Sequence, residues 1–361
     1  MIKVSVIIPV YNSQDFLVEC LDSVIGQTLK EIEIICINDG SDDASLSILE
    51  RYQKEDDRIQ VYSQKRSNAG VARNLGLSKA KGRYLSFLDS DDFFSNEMLE
   101  KAYLQAEKDD DDIVIFAANE YDMYAKTFSR IEGSLRKYNC PDHMPFAPIE
   151  MKGYLFNSFQ NWAWNKLFKK EFIDKNDLSF QEISRTNDML FTCSALVLAN
   201  RISVIDETLA NYRTGLYGHL QATNHTDPDS FWTAYTETLF KLKGLLKDSY
   251  KNYEKSFLNC VLHGMRYNVS RIEKDPKAGD YIKHLINLKA EGIFRFLEMP
   301  ESDYYRKDDI GWYKKLLREC AAQNNRSRRK WYLKKVGKTL TSLRNNGLDK
   351  TMEKIRGDLK K

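Results

Sequence analysis

Three carboxylates follow one apolar segment of this 361-residue sequence. Residues 84–94, YLSFLDSDDFF, begin as a buried strand and then bring Asp89, Asp91 and Asp92 within four positions. Two unit charges about 6 Å apart at an effective dielectric constant of about 20 repel by roughly 2 to 3 kcal/mol, so the cluster costs stability unless water or a cation offsets it. Hard divalent cations bind carboxylate oxygens. Taken alone, the residues fit a metal site and a solvated turn with helix caps equally well.

Other polar clusters carry residue types that suit a phosphorylated ligand. The segment VSVIIPVYN contains Pro9 and Tyr11, and the Tyr11 ring could stack on a flat ligand or pack at a rim. The segment INDGSDD contains Asp39, which also suits an ordinary turn. In RSNAGVARN, Arg66 and Arg73 offer guanidinium forks that match phosphate, although a surface arginine on a helix is ordinarily solvated.

The elements that position these clusters follow the alternation of a parallel α/β sheet. Apolar runs predict strands at 4–10, 33–37, 59–62, 84–88 and 113–118, with a short one at 202–205. Residues at helical spacing separate them, and Ser13 is the expected cap of the first helix. In open parallel sheets, ligands bind beyond the carboxyl ends of the strands, and the polar clusters all lie at such ends.

Composition indicates a globular chain with packed cores, since 42% of the residues are hydrophobic and 12% aromatic. No apolar run approaches the roughly 20 residues that span a bilayer. The apolar run at the start of the sequence is too short for the h-region of a signal peptide, so a cytoplasmic protein is expected. The six cysteines form no C-x-x-C pair, which predicts reduced core residues.

Positive charge is concentrated at the end of the chain. Residues 326–361 hold thirteen Lys or Arg against three acidic residues, a net charge of +10, so the preceding chain carries −7. The tail has an apolar row at helical spacing, made of Tyr332, Val336, Leu340 and Leu343. This composition fits an interfacial helix on an anionic membrane, and nucleic-acid binding or a charged bundle helix are the competing interpretations.

These motifs, in this order, closely resemble the pattern of glycosyltransferase family 2 over roughly residues 3–215. The resemblance implies the GT-A fold, a mostly parallel central sheet flanked by helices, which here precedes a C-terminal helical extension. The predicted domains are a catalytic domain at 1–226 and a helical region at 227–361 that ends in the basic tail. Members transfer a sugar from a nucleotide-sugar with inversion, assisted by a divalent cation, which implies Mn²⁺ or Mg²⁺ here.

The resemblance also implies roles for particular residues. Asp39 matches an acceptor of the uracil N3–H, Asp91 the most important metal ligand, and Asp89 a contact to ribose or metal. In TNDMLF, Asp188 matches the general base, whereas Asn187 departs from the usual Glu. The other expected contacts to the nucleotide-sugar or metal are Pro9, Tyr11, Arg66, Arg73, Trp164, Lys166 and His219. Trp164 and Lys166 also fit a core Trp and a surface Lys, and Asp92 fits a helix cap or an acceptor behind the ligands.

The expected activity is therefore transfer from a UDP-sugar to a glycan or lipid-linked saccharide on the inner face of the cell membrane, without nucleic acid. Two other classes fit parts of the pattern. A haloacid dehalogenase-like phosphatase also ends a strand in D-x-D, but on its first strand, and here the motif follows the fourth. A non-catalytic nucleotide- or sugar-binding scaffold is suggested only by Asn187.

Overall fold

The computed structural model describes residues 1–151, 153–215 and 226–322. His219 and the basic tail at 326–361 lie outside the described residues. The strands are β1 Val4–Val10, β2 Ile32–Asn38, β3 Ile59–Ser63, β4 Tyr84–Phe87, β5 Phe93–Phe94, β6 Ile113–Asp122, β7 Thr127–Arg130, β8 Lys166–Lys169 and β9 Ile202–Thr214. The helices are α1 Leu17–Ile25, α2 Ser45–Glu55, α3 Ala69–Lys79, α4 Met98–Asp109, α5 Leu155–Ser158, α6 Lys170–Lys175, α7 Met189–Leu198, α8 Ser230–Leu246, α9 Lys251–Ile272, α10 Pro276–Phe294 and α11 Lys307–Ala322.

One mixed sheet runs through the molecule in the order β3-β2-β1-β4-β8-β6-β9-β5, and β7 pairs with β6. The first four strands are parallel, and so is the long β6–β9 pair. β8 lies antiparallel between β4 and β6, while β5 and β7 pair antiparallel with β9 and β6. The predicted parallel α/β order is therefore confirmed for the amino-terminal half, whose carboxyl strand ends form one edge.

The two faces of the sheet are covered by separate hydrophobic clusters because side chains alternate along each strand. In β1, Ile7 joins one cluster, and its neighbours Val6 and Ile8 join the other. The Ile7 cluster continues without a break through α7, α8, α9 and α10 to Leu316 of α11. The helices after residue 226 thus share a core with the sheet, and the division at 226 stays a prediction.

A cluster of four phenylalanines lies behind the strand ends. Phe87 of β4 meets Phe168, Phe180 and Phe191 with ring centroids 6.0, 4.8 and 5.4 Å away. Phe180 and Phe191 stack at 4.1 Å. This phenylalanine cluster joins β4, β8, the segment before α7 and α7 itself.

Two smaller predictions can be compared with the structure. The prediction that Ser13 caps α1 was wrong, because its hydroxyl instead forms a 2.7 Å hydrogen bond with the hydroxyl of Ser90, beside the acidic residues. All six cysteines are unpaired, as predicted. Among the described residues, no helix is both long and apolar enough to cross a membrane.

Candidate active site

The turn between β4 and β5, residues 89–92, brings the three predicted carboxylates together. Asp89, Asp91 and Asp92 each offer an oxygen, and these oxygens lie within 4.8 Å of one another. Asp89 and Asp91 are half-buried, and Asp92 is buried. Asp92 does not cap α4, whose first residue is Met98. Its Oδ1 accepts a 2.9 Å hydrogen bond from the backbone N–H of Arg213. This contact fits the other predicted role, that of a hydrogen-bond acceptor behind the metal ligands.

Burial and mutual repulsion disfavour ionisation of this acidic turn. Burial and the neighbouring charge of Asp89 raise the pKa of Asp91 to about 6. Burial, together with the charges of Asp91 and Asp89, also raises the pKa of Asp92. The Asp92 Oδ2 is buried and accepts no hydrogen bond from the described residues. A cluster of oxygen donors with an unsatisfied buried atom fits a divalent cation.

Arg213 of β9 holds the acidic turn, and the sequence analysis did not identify it. Its side chain is only 2% exposed, its Nε donates a 2.7 Å hydrogen bond to the Asp91 carbonyl, and its guanidinium forms a 2.8 Å ion pair with Glu19. The guanidinium also lies 4.5 Å from the ring centroid of Phe93. The short strand predicted at 202–205 ends before Arg213, and no motif marked this residue.

The ends of β1 and β2 form a second part of the site. The Arg66 guanidinium lies 4.0 Å from the ring centroid of Tyr11, and Pro9 is half-buried near the end of β1. Asp39 is 4% exposed, and its Oδ1 accepts hydrogen bonds from the Gln64 side chain at 2.6 Å and the Ser67 backbone at 2.9 Å. The structure therefore brings these four predicted residues to the same edge as the acidic turn.

Arg73 of α3 connects the acidic turn to the predicted base. Its guanidinium donates to Asp89 Oδ1 at 2.5 Å and to Asn187 Oδ1 at 2.7 Å, and only 8% of the residue is exposed. Gly70 lets α3 approach this closely, since a Cβ there would lie 1.9 Å from the Gln181 carbonyl oxygen. In this arrangement Arg73 organises other side chains of the site.

Asp188 is half-buried at the amino end of α7, and its side chain makes no capping hydrogen bond. Burial raises the pKa of its carboxyl to about 6, with opposing contributions from the Arg73 and Asp89 charges. A carboxylate that is free of a capping role, close to the acidic turn and tuned toward neutral pH has the properties of a general base. The helix-cap alternative lacks the hydrogen bond that it requires.

The structure buries both predicted residues of the WNKLF motif. Trp164 is 4% exposed and stacks on Trp162 with ring centroids 4.8 Å apart. Lys166 is fully buried, which lowers the pKa of its ammonium to about 7. Its Nζ donates to the carbonyls of Gln160 and Trp162 and to the Asn165 side chain at 2.7 to 2.8 Å, so its three N–H donors are used within the protein. Lys166 is therefore not the surface lysine that the alternative interpretation expected.

A surface groove of about 610 Å³ lies away from these residues. It is lined by Arg83, Lys169 and Lys170 at the amino-terminal end of β4, opposite the acidic turn. Its basic residues pair with acidic neighbours, among them Arg83 with Glu107 at 2.9 Å. This groove therefore lies at the end of the sheet opposite the candidate site.

Comparison with known proteins agrees with this geometry. The family model described as glycosyl transferase family 2 matches residues 5–176. The cholesterol galactosyltransferase of Borreliella burgdorferi is 31% identical over 267 residues, which cover 71% of this chain and 72% of that protein. The chain belongs to glycosyltransferase family 2. It is a glycosyltransferase, and this excludes the phosphatase alternative.

Two further glycosyltransferases resemble this chain. The uncharacterised glycosyltransferase EpsJ of Bacillus subtilis is 34% identical over 218 residues, which cover 58% of this chain and 60% of EpsJ. The crystal structure of residues 1–349 of S. aureus TarS in complex with UDP-GlcNAc superposes with a TM-score of 0.66 at 21% identity, covering 88% of this chain and 90% of that one. The fold is thus the predicted GT-A fold with a helical C-terminal region.

Proposed function

We propose that this glycosyltransferase moves a sugar from a UDP-sugar to a hydroxyl of a glycan or lipid-linked saccharide, with inversion at the anomeric carbon. The observation that carries the proposal is the Arg73 bridge. One guanidinium contacts Asp89 of the acidic turn and Asn187, the residue before the proposed base, at 2.5 and 2.7 Å. Groups that would bind the donor diphosphate and a group that would activate the acceptor therefore lie on either side of one side chain.

The donor nucleotide would occupy the ends of β1 and β2. Tyr11 and Arg66, whose ring and guanidinium are in contact, offer a flat surface for a nucleobase. The Asp39 Oδ1 already accepts two hydrogen bonds, which orient the carboxylate so that its other oxygen can accept from the N3–H of uracil. The TarS structure, which contains UDP-GlcNAc, supports the same class of donor.

Asp91 and Asp89 are the residues that would hold Mn²⁺ or Mg²⁺, with Asp92 behind them. A divalent cation bound there supplies a Lewis acid for the charge that develops on the departing diphosphate. Within the chain, Arg213 fixes the backbone of Asp91 and thereby the direction of the carboxylates. A solved mannosyltransferase of the same fold, from Pyrobaculum calidifontis, contains GDP-Man and Mn²⁺, at 15% identity and a TM-score of 0.52. His219 stays a predicted ligand.

Asp188 would accept the proton of the acceptor hydroxyl. As that oxygen forms its bond to the anomeric carbon, the bond from this carbon to the diphosphate oxygen breaks on the opposite face and UDP leaves. With a pKa of about 6, Asp188 is mostly ionised at pH 7.5 and yet close enough to neutral pH to be an effective base. Asn187 is neutral, so the Arg73 charge remains available to Asp89.

The basic tail at 326–361 would bring the enzyme to an anionic membrane, where a lipid-linked acceptor would reside. The support is its net charge of +10 against −7 for the rest of the chain. Each basic residue near an anionic leaflet gains about 1 kcal/mol. A cytoplasmic enzyme bound peripherally at the inner face of the membrane is the resulting proposal.

The test of the proposed function is release of UDP from UDP-glucose, UDP-galactose and UDP-GlcNAc with Mn²⁺, with and without saccharide acceptors. The wild type should release UDP from at least one donor, and the anomeric configuration of a transferred sugar should be opposite to that of the donor. A protein that binds UDP tightly but turns over no donor would instead be the non-catalytic scaffold. Retention of configuration would exclude Asp188 as the base of a single displacement.

A further inference from the structure

Residues 160–165, which we term the tryptophan loop, are fixed beside the proposed base. The Asn161 carbonyl accepts a 2.9 Å hydrogen bond from Thr192 of α7, one helical turn after Asp188. The Asn161 amide donates a 3.0 Å hydrogen bond to Cys260 of α9. Because Lys166 also binds two carbonyls of this loop, its position is fixed from the sheet, from the base-bearing helix and from the C-terminal helices.

Three aromatic rings at this loop are almost parallel. Trp162, Trp164 and Tyr212 have centroids 4.8 to 6.3 Å apart and planes inclined by 7 to 17°. Trp164 is buried, whereas Trp162 is partly exposed. Tyr212 lies close to the acidic turn, since the backbone N–H of the next residue, Arg213, donates a 2.9 Å hydrogen bond to Asp92 Oδ1. The array therefore extends from the acidic turn to a tryptophan at the surface.

Helix α9 lies along the other side of the loop. Tyr267 is seven residues after Cys260, and so on the same helix face, and it is 41% exposed. The Arg271 guanidinium lies 5.0 Å from the centroid of the Tyr267 ring. Helix α9 thus carries an exposed aromatic ring on the face whose Cys260 contacts the loop.

We infer that Trp162 binds a pyranose ring of the acceptor. A pyranose has an apolar C–H face that suits a flat aromatic ring and a rim of hydroxyls that need polar neighbours. The nucleobase has its own candidate surface at Tyr11, on different strands. A lipid chain would need a larger apolar area without adjacent carboxylates. The inference rests on the proposed function and specifies the acceptor as a saccharide at its reactive end.

The test measures saccharide binding by saturation-transfer NMR in the presence of UDP and Mg²⁺. The probes are N,N′-diacetylchitobiose, cellobiose and lactose. The full-length wild type should give saturable transfer to the C–H face of at least one probe, and Trp162→Ala should weaken its binding about tenfold, the effect of losing one aromatic stack. Trp162→Tyr retains a ring and should stay within about threefold of the wild type. UDP affinity should be unchanged in both variants.

Trp312→Ala is the matched control, because Trp312 is also partly exposed but lies on α11, outside the tryptophan loop. It should leave saccharide binding unchanged. Three outcomes would overturn the inference. They are saccharide binding that is undiminished in Trp162→Ala, a loss of saccharide binding in Trp312→Ala equal to that in Trp162→Ala, and the absence of saturable saccharide binding by the wild type. UDP release from donors is measured separately. If the enzyme releases UDP but Trp162→Ala does not weaken saccharide binding, only this inference is contradicted. An enzyme with neither UDP binding nor donor turnover would contradict the proposed function.

Discussion

Replacing Asp91 by Asn should stabilise the metal-free protein while abolishing metal-dependent donor binding. Burial and Asp89 raise the pKa of Asp91 from 3.8 to about 6. Each pKa unit corresponds to about 1.4 kcal/mol, so ionised Asp91 costs about 3 kcal/mol of folding free energy at pH 7.5. The amide keeps the shape of the carboxyl and removes this cost.

The predicted gain depends on pH in a defined direction. A raised folded-state pKa means that the wild type has its full stability below about pH 4 and loses stability as pH rises through about 6. The advantage of Asp91→Asn should therefore be largest at pH 7.5 and vanish below pH 4. With an unfolding entropy of about 2.1 cal/mol/K per residue, about 3 kcal/mol raises the Tm of this chain by about 4 °C.

The assay is thermal melting of both proteins from pH 4 to 8 in EDTA, then at pH 7.5 with UDP and Mn²⁺. At a ligand concentration of 100 Kd the wild type should gain about 2.7 kcal/mol, and the variant should gain much less. Asp57→Asn, the same change at an exposed carboxylate, controls for the substitution itself. A metal-free variant that melts below the wild type at pH 7.5 would refute the reasoning and make the acidic turn a structural cap.

Three further outcomes are expected. Asp188→Asn should reduce sugar transfer at least about 100-fold with UDP affinity unchanged, and wild-type activity should fall as pH drops through about 6; normal turnover by the variant would remove Asp188 as base. Gly70→Ala should lower the free energy of unfolding, measured in urea, by more than about 2 kcal/mol, because its Cβ would meet the Gln181 carbonyl. The control Gly244→Ala, which has open space around it in α8, should be neutral or stabilising. Removal of residues 326–361 should abolish salt-sensitive co-sedimentation with anionic vesicles and preserve donor hydrolysis, so equal sedimentation of both proteins contradicts the membrane proposal.

Strand positions in the amino-terminal half were predictable because continuous apolar runs mark strands buried on both faces. β1 was predicted at its observed limits, and β2 to β4 differ by one residue at one or both ends. β8 was missed, since Lys166–Lys169 is only four residues long and carries a lysine at each end. The long extensions of β6 and β9 were also missed, because each depends on pairing with the other across a large sequence separation.

The candidate site was predictable where side chains follow strand ends and unpredictable where burial decides the role. The acidic turn and Asp188 could be located from their motifs. The sequence did not indicate that Trp162 rather than Trp164 reaches the surface, because two residues along an irregular loop have no fixed orientation. It also could not identify the Arg73 bridge to Asn187 or the contact of Arg213 with the acidic turn, since both join residues more than 100 positions apart.

The phenylalanine cluster packs beneath both the acidic turn and the helix that carries Asp188. Phe87 precedes Asp89 by two residues, and Phe191 follows Asp188 by three, which is about one helical turn. Since these two rings are 5.4 Å apart, a core substitution that shifts one of them must displace the acidic turn and the base together. The residues that would bind the donor and the residue that would activate the acceptor therefore move together. Variation that changes the acceptor without loss of the reaction would be confined to the surface around the tryptophan loop and α9.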